Sequence, residues 1–208
     1  MATGGSSNKP FEALVLGAGT GSRFGGGKLL AAWRGGVLLD AALAAAVAAP
    51  VRSVTLVTGA DGAAVAAAAR AFAERTGQAR RLRIVHAADC AEGLSASLRA
   101  GAAATPADAG GLFVFLGDMP RVPHGVLEPL AQAVRAGAPA AAPVFAGRRG
   151  NPVLLGAALI PRLAGLHGDQ GARPLIQALG AALALVEAPD DGVLFDVDQR
   201  GDLDDGRT

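Results

Sequence analysis

Short apolar runs alternate along the chain with longer stretches whose apolar positions recur at helical spacing. This pattern predicts strands and helices in turn. Phe11 to Leu16 reads as a buried strand, and Leu38 to Ala49 as a helix closed by Pro50. Val54 to Thr58 is a β-branched run, followed by an alanine-rich helix over Asp61 to Arg75 with Gly77 as its stop. Leu82 to His86 is a third strand, Ser95 to Ala104 a helix, and Leu112 to Leu116 a continuously apolar strand expected at the centre of a sheet. Beyond it come a helix over Val126 to Arg135 and a strand over Ala140 to Phe145. A turn at Gly147 to Gly150 then leads into a strand over Pro152 to Leu155. Helices over Ile160 to Leu166 and Ala172 to Leu179, and strands over Ala184 to Glu187 and Phe195 to Val197, complete the series. The alternation predicts an α/β fold, three layers with helices on both faces of a mostly parallel sheet. The turn at 147–150 adds a small antiparallel excursion.

Composition narrows the possibilities. At 208 residues, 51% hydrophobic and 18% charged, the chain can bury a substantial core. The expected organisation is a disordered tail over 1–10 and one domain over 11–208. A formal net charge of +1 supplies no global field for nucleic acid or membrane surfaces, so any basic site must be local. No apolar run reaches the roughly 18 residues that argue for a membrane span, and the first ten residues lack the apolar region of a signal peptide. The single cysteine, Cys90, excludes an internal disulfide and a cysteine metal cluster. A cytoplasmic location is expected.

The candidate chemistry begins where the first strand ends. Leu14-Val-Leu-Gly-Ala-Gly-Thr-Gly-Ser-Arg-Phe-Gly-Gly-Gly-Lys28 carries six glycines between 17 and 27, then two cations at Arg23 and Lys28. Glycines permit positive φ and remove the Cβ atoms that would hold a ligand away from the backbone. Successive N–H groups can then form an anion-binding nest, to which a guanidinium fork and an ammonium add full charge. A polyphosphate fits that chemistry; a tight structural connection is the alternative. The loop is not a Walker A motif, because Leu29 follows Lys28 where a hydroxyl is needed. Nor is it a dinucleotide fingerprint, since Gly17, Gly19 and Ser22 give only G-x-G-x-x-S with no ribose-binding acid beyond. That weighs against an NAD-dependent oxidoreductase.

Other stretches follow strands, where open α/β sheets bind ligands. Asp118, in Leu116-Gly-Asp-Met-Pro120, stands two residues past a strand and can hold Mg²⁺ or cap the following helix. Asp196 and Asp198 would share one side of a terminal strand and could supply a second metal contact, or be solvated acids. Ser95 and Ser97 lie at a helix start, suited to a nucleobase edge or to ordinary capping. Arg148 and Arg149 beside Asn151-Pro152, with Arg173 after Gly168-Asp169, are either a cationic wall or a solvated hairpin tip. His167 has no His or Cys neighbours, so transition-metal ligation is not expected.

The loop pattern L-x-x-G-x-x-x-R-M/F-G-x-x-K, present as Leu16, Gly19, Arg23, Phe24, Gly25 and Lys28, resembles the signature of nucleotidyltransferases with a Rossmann-like fold. Within these MobA/MocA-like NTP transferases, the chain is most similar to the molybdenum cofactor cytidylyltransferases. The resemblance runs from Phe11 to Leu203 and includes Gly117-Asp-Met-Pro120, Gly93-Leu-Ser-Ala-Ser-Leu-Arg-Ala-Gly101, Gly150-Asn-Pro-Val153 and Gly168-Asp-Gln-Gly-Ala-Arg173. It implies transfer of CMP from CTP to the terminal phosphate of molybdenum-loaded molybdopterin, with Mg²⁺ as cofactor and pyrophosphate released. It also implies a molybdoenzyme of the xanthine dehydrogenase type as a downstream partner. Leu16, Gly17, Ala18, Gly19, Thr20, Gly21, Arg23, Lys28, Ser95 and Ser97 would bind the nucleotide. Arg23, Lys28 and Asp118 would be catalytic, and Asp118 with Asp198 would hold the metal, Asp196 being the alternate. Arg149, Asn151, Pro152, Asp169 and Arg173 would bind the acceptor. Gly27 before Lys28 resembles the branch that uses CTP, whereas GTP users tend to carry an acid there. The chain departs from the pattern at Gln199 and Gly201, where threonine and proline are usual, and at Ala87 and Cys90, where relatives often show asparagine and tryptophan. Alternatives are transfer of a cytidylyl or guanylyl group to a sugar or polyol phosphate, or a non-catalytic cofactor-insertion accessory.

Overall fold

A computed structural model of the chain describes residues 9–19, 21–59 and 62–206. Most of the tail expected over 1–10 therefore lies outside the described residues, although the Pro10 carbonyl accepts a bond from Gly110 N–H just ahead of the first strand. Ten strands and five α-helices are found among the described residues. In chain order they begin β1 (Phe11–Gly17), β2 (Ala32–Trp33), β3 (Gly36–Val37), α1 (Leu38–Ala48), β4 (Val51–Thr58), α2 (Gly62–Arg75), β5 (Leu82–His86) and α3 (Leu94–Ala103). They continue β6 (Gly111–Leu116), α4 (Leu127–Arg135), β7 (Ala140–Phe145), β8 (Arg148–Arg149), β9 (Val153–Gly156), α5 (Arg173–Gln177) and β10 (Leu183–Glu187).

The main sheet runs β10-β7-β9-β6-β1-β4-β5, with β8 paired to β7. Only β9 runs against its neighbours β6 and β7 on that path, so the sheet is mostly parallel with the expected antiparallel excursion. β6 is central, as its unbroken apolar run requires. Strand alternation divides its side chains between two layers. Ala13, Val15, Phe113 and Phe115 pack with Leu39 and Leu43 of α1, Phe72 of α2 and Leu130 of α4. Leu14, Leu16, Leu112 and Val114 pack on the other face with Leu98 of α3, Leu159, Leu163 and Ile176. Each fully buried leucine or phenylalanine contributes about 1.5–3 kcal/mol.

Register places the ligand edge. Gly17 lies opposite Thr58, Thr58 opposite His86, and Leu16 opposite Leu116, so the carboxyl ends of β1, β4, β5 and β6 finish level. The connections leaving them all open on one edge.

Several expected elements differ. β4 starts at Val51 rather than Val54, because Glu12, buried in β1, draws the preceding residues in. It accepts from Arg52 Nε at 2.6 Å, from Ser53 N–H at 3.1 Å and from Ser53 Oγ at 2.5 Å. The helix expected over 160–166 is a 3-10 run, Ala157–Gly165, with Pro161 inside it; proline lacks the N–H that a continuous α-helix needs. Arg34 (φ 43°) and Gly35 (φ 83°) make a tight hairpin of β2 and β3 that the sequence pattern left unmarked. Phe195 to Val197 is not a strand. Val197 is instead fully buried with Phe24, Trp33 and Leu38 in a small separate core, and its N–H donates to the Asp118 carbonyl at 3.0 Å. Those side-chain contacts and that backbone bond, not a ladder, fix the segment.

Candidate functional site

The glycine loop leaves β1 at Gly17, where a Cβ would press on Leu56 at 3.0 Å and the Val57 carbonyl at 3.2 Å. Gly25, Gly26 and Gly27 all take positive φ (89°, 89° and 64°), a run that side chains rarely tolerate. It turns the chain back so that Lys28 opens a 3-10 turn, Lys28–Leu30, at the sheet edge. Gly117 N–H donates to the Leu16 carbonyl at 2.9 Å, which ties the turn after β6 to the end of β1 and sets Asp118 across from the loop. Lys28 Nζ meets Asp118 Oδ2 at 2.6 Å, with side chains only 14% and 25% exposed. Arg23 Nη1 meets Asp198 Oδ2 at 2.9 Å in a far more open setting.

The third carboxylate here is Asp196. Its tip reaches solvent, yet crowding by protein removes enough water to push its carboxyl up, and the negative charge of Asp118 adds to that push while Lys28 opposes it. Asp118 and Asp196 thus place two carboxylates close enough to feel each other's charge beside Lys28. The donors are oxygens only, which suits a hard ion that completes its shell with phosphate and water. Among the described residues no group of three or more His, Cys, Asp or Glu is placed to hold a metal ion by itself.

Three cavities flank the loop. The first, about 480 Å³, is lined by Leu16, Gly17, Ala18, Gly19, Gly21 and Lys28 on one side, and by Cys90, Gly93, Ser97, Asp118 and Asp169 on the other. The second, about 460 Å³, lies between Gly26 to Leu30 and the first turn of α2. The third, about 190 Å³, shares Leu16, Leu94 and Leu116 with the first and is lined by Arg149, Asn151, Gln170 and Arg173.

The sequence-derived residues are thus gathered, with some redistribution. Thr20 lies outside the described residues. Ser97 lines the first cavity, but Ser95 is fully buried, lines none of the three, and its Oγ has no hydrogen-bond partner among the described residues. Arg149, Asn151 and Arg173 stand together, whereas buried Pro152 does not line their cavity. Asp169 lines the glycine-loop cavity instead of theirs, with its carboxylate packed against the backbone of Gly93, where a Cβ could not fit.

Sequence reasoning missed the groups that hold this arrangement. Arg99 of α3 donates to the Leu166 carbonyl at 2.8 Å and to Glu92 at 2.6 Å, and Ser95 N–H donates to the Gly168 carbonyl at 3.1 Å. Together they pin the loop that presents Asp169. Arg200 lies over the Phe24 ring and Arg121 over Phe195, clasping the C-terminal segment to the glycine-loop arm and the Asp118 turn. These contacts join distant parts of the chain, and no local pattern signals them.

Known proteins resemble the chain in sequence family and in fold. The MobA-like NTP transferase domain family matches residues 13–183. No curated protein matches the sequence. Rv0371c from Mycobacterium tuberculosis H37Rv is similar in structure, with a TM-score of 0.80 and 26% identity over 95% of this chain and 97% of that one. The same protein in complex with manganese has a TM-score of 0.68 and 24% identity, over 86% and 88%. The Methanothermobacter nucleotidyl transferase Mth528 has a TM-score of 0.74 and 25% identity over 94% of each chain. Molybdopterin-guanine dinucleotide biosynthesis protein A from Archaeoglobus fulgidus shares the fold, with a TM-score of 0.63 and 17% identity over 94% of this chain and 96% of that one.

Proposed function

This chain belongs to the MobA-like NTP transferase family, and from that premise we propose that it transfers CMP from CTP to the terminal phosphate of molybdenum-loaded molybdopterin. The observation that carries the proposal is the meeting of Lys28 and Asp118 at 2.6 Å on the ligand edge, between a glycine loop and an arginine-lined cavity. An oxygen of the acceptor phosphate attacks the α-phosphorus. The bond from that phosphorus to the oxygen bridging it to the β-phosphorus breaks, and pyrophosphate leaves. No covalent nucleophile on the protein is needed; positioning and charge neutralisation lower the barrier.

Each residue has a part in this scheme. The backbone of Gly17 to Gly21 and the Arg23 guanidinium take the β- and γ-phosphates, and Lys28 takes the α-phosphate as charge builds on it. Asp118, with Asp198 or the adjacent Asp196, would hold Mg²⁺, whose chemistry is to neutralise phosphate charge. The manganese complex of Rv0371c supports a divalent ion in this fold. Ser97 and Asp169 face the base. A carboxylate can only accept hydrogen bonds, so Asp169 favours a base with an exocyclic amine, as cytosine, guanine and adenine have, over uracil. Arg149, Asn151 and Arg173 bind the acceptor's anionic end.

A second acceptor class is favoured by one observation. The arginine-lined cavity measures only about 190 Å³ and has apolar walls at Leu98, Val114 and Ile176, a size that suits a compact sugar or polyol phosphate. Pyrophosphate release with Mg²⁺, measured for CTP and GTP in turn with each acceptor, tests both. Release with CTP only when molybdenum-loaded molybdopterin is present supports the first acceptor. Release with a sugar or polyol phosphate moves the assignment to the second, and no release with any pairing contradicts both.

A further inference from the structure

Both cations that the proposed function gives to the phosphates are already paired, and each is paired to a carboxylate it gives to the metal. Lys28 holds Asp118 at 2.6 Å and Arg23 holds Asp198 at 2.9 Å. The first pair is largely covered, so its charges cannot simply turn to water when separated. The Nζ–Oδ2 contact is direct, so an ion on that oxygen would stand next to the ammonium while Lys28 stays.

Consider each ligand arriving alone. A triphosphate that draws Lys28 away strips Asp118 of its counter-charge and leaves a carboxylate, with Asp196 beside it, facing a polyanion. A divalent cation that takes Asp118 strands the ammonium of Lys28 in a covered position next to two positive charges. Either half of the exchange leaves an uncompensated, partly desolvated charge, the most costly outcome for a covered ion pair. When both ligands arrive, the metal lies between carboxylate and phosphates, the ammonium lies on phosphate, and every charge has a partner.

We propose that the Lys28–Asp118 and Arg23–Asp198 pairs form a charge-exchange latch that makes this site bind metal and triphosphate as a coupled pair. The proposal rests on the nucleotidyl-transfer function above and adds a mechanism for its first step. Covered Lys28–Asp118 carries most of the coupling; Arg23, 75% exposed, carries less because solvent screens it. By linkage, metal raises nucleotide affinity by the same factor as nucleotide raises metal affinity. The expected factor is about tenfold or more, within the usual range of coupling between two sites.

Binding without turnover tests the latch, and its signature is a gain. Free Mn²⁺ is counted by electron paramagnetic resonance in nucleotide-free wild type, Lys28→Gln and Arg23→Gln, and metal-free CTP binding is measured by calorimetry in EDTA for wild type and Asp118→Asn. Lys28→Gln frees Asp118, so Mn²⁺ binding without nucleotide should tighten about tenfold, with a smaller gain in Arg23→Gln. Asp118→Asn frees Lys28, so metal-free CTP should bind about tenfold tighter than to wild type, although transfer is lost. Arg23→Gln changes an exposed side chain and keeps the test open if Lys28→Gln does not fold. Wild type that binds Mn²⁺ and CTP together, with no tightening in any variant, overturns the latch alone. Wild type that binds neither in any combination overturns the nucleotidyl-transfer function and the latch with it.

Discussion

Asp169 shows what a single side chain decides. The motif Gly168-Asp169 follows the acceptor-like stretch in sequence, and on sequence grounds it belonged with Arg173. Its carboxylate instead lies against Gly93 and faces the glycine-loop cavity. The cause is a set of bonds from α3, Arg99 to the Leu166 carbonyl and Ser95 N–H to the Gly168 carbonyl, which fold the loop back. If Asp169 accepts from the exocyclic amine of the base, Asp169→Asn gains a donor for the uracil carbonyl and loses the carboxylate's preference for an amine. Competition isotherms should then show the preference for CTP over UTP narrowing by about tenfold, the scale of one net hydrogen bond to a charged group. An unchanged ratio would return Asp169 to the acceptor or to solvent. At this scale Lys28, Asp118 and Ser97 were legible because each follows a strand end or opens a helix. Ser95 was not, because a hydroxyl at a helix start looks alike whether it faces a ligand or the interior.

Elements were legible in proportion to how local their cause is. The central strands and α1 to α4 follow from apolar periodicity, and they appear close to where that pattern puts them. The segment 195–203 does not, since its shape depends on Phe24, Trp33 and Asp118 far away in sequence. It acts as a strap that carries Asp196 and Asp198 to the loop. Within it Asp202 accepts from Asp198 N–H and Gln199 N–H, each at 2.7 Å, reaching back as the acid of a capping box does. These bonds, that to Gln199 first, hold the Asp202 carboxyl below its ordinary value. A lowered folded value means stability that is present above the unfolded value and lost as pH falls through the folded one. Asp202→Ala should therefore lower stability at neutral pH, by less than the ~1 kcal/mol of a covered helix-start contact because solvent screens this carboxylate. The deficit should vanish in acid, below the ordinary carboxylate range of about pH 4. Denaturant titration at neutral and acid pH checks this, and a deficit that persists in acid would mean the contact is not electrostatic.

For the molecule as a whole, the sheet order does what no single motif can. The glycine loop leaves β1 and Asp118 follows β6, and these strands are hydrogen-bonded neighbours in register to their last residues. Residues 90 apart in sequence thereby reach 2.6 Å. The sequence pattern allowed this by marking β6 as central, but it could not say which strand stood beside it. The α/β class and the sheet edge that carries the glycine loop were therefore readable in advance, and the pairing that joins cation to carboxylate was not. No helix among the described residues is long and apolar enough to cross a membrane. The central claim is that the α-phosphate of a nucleotide passes to an acceptor at this edge. It is tested most directly by incubating the protein with Mg²⁺, acceptor and CTP labelled either at the α- or at the γ-phosphorus, then following the label. The account predicts that the α-label appears in the acceptor product and the γ-label in pyrophosphate, and that Lys28→Ala abolishes both while the protein stays folded. A γ-label carried by the acceptor, or full turnover in folded Lys28→Ala, would contradict it.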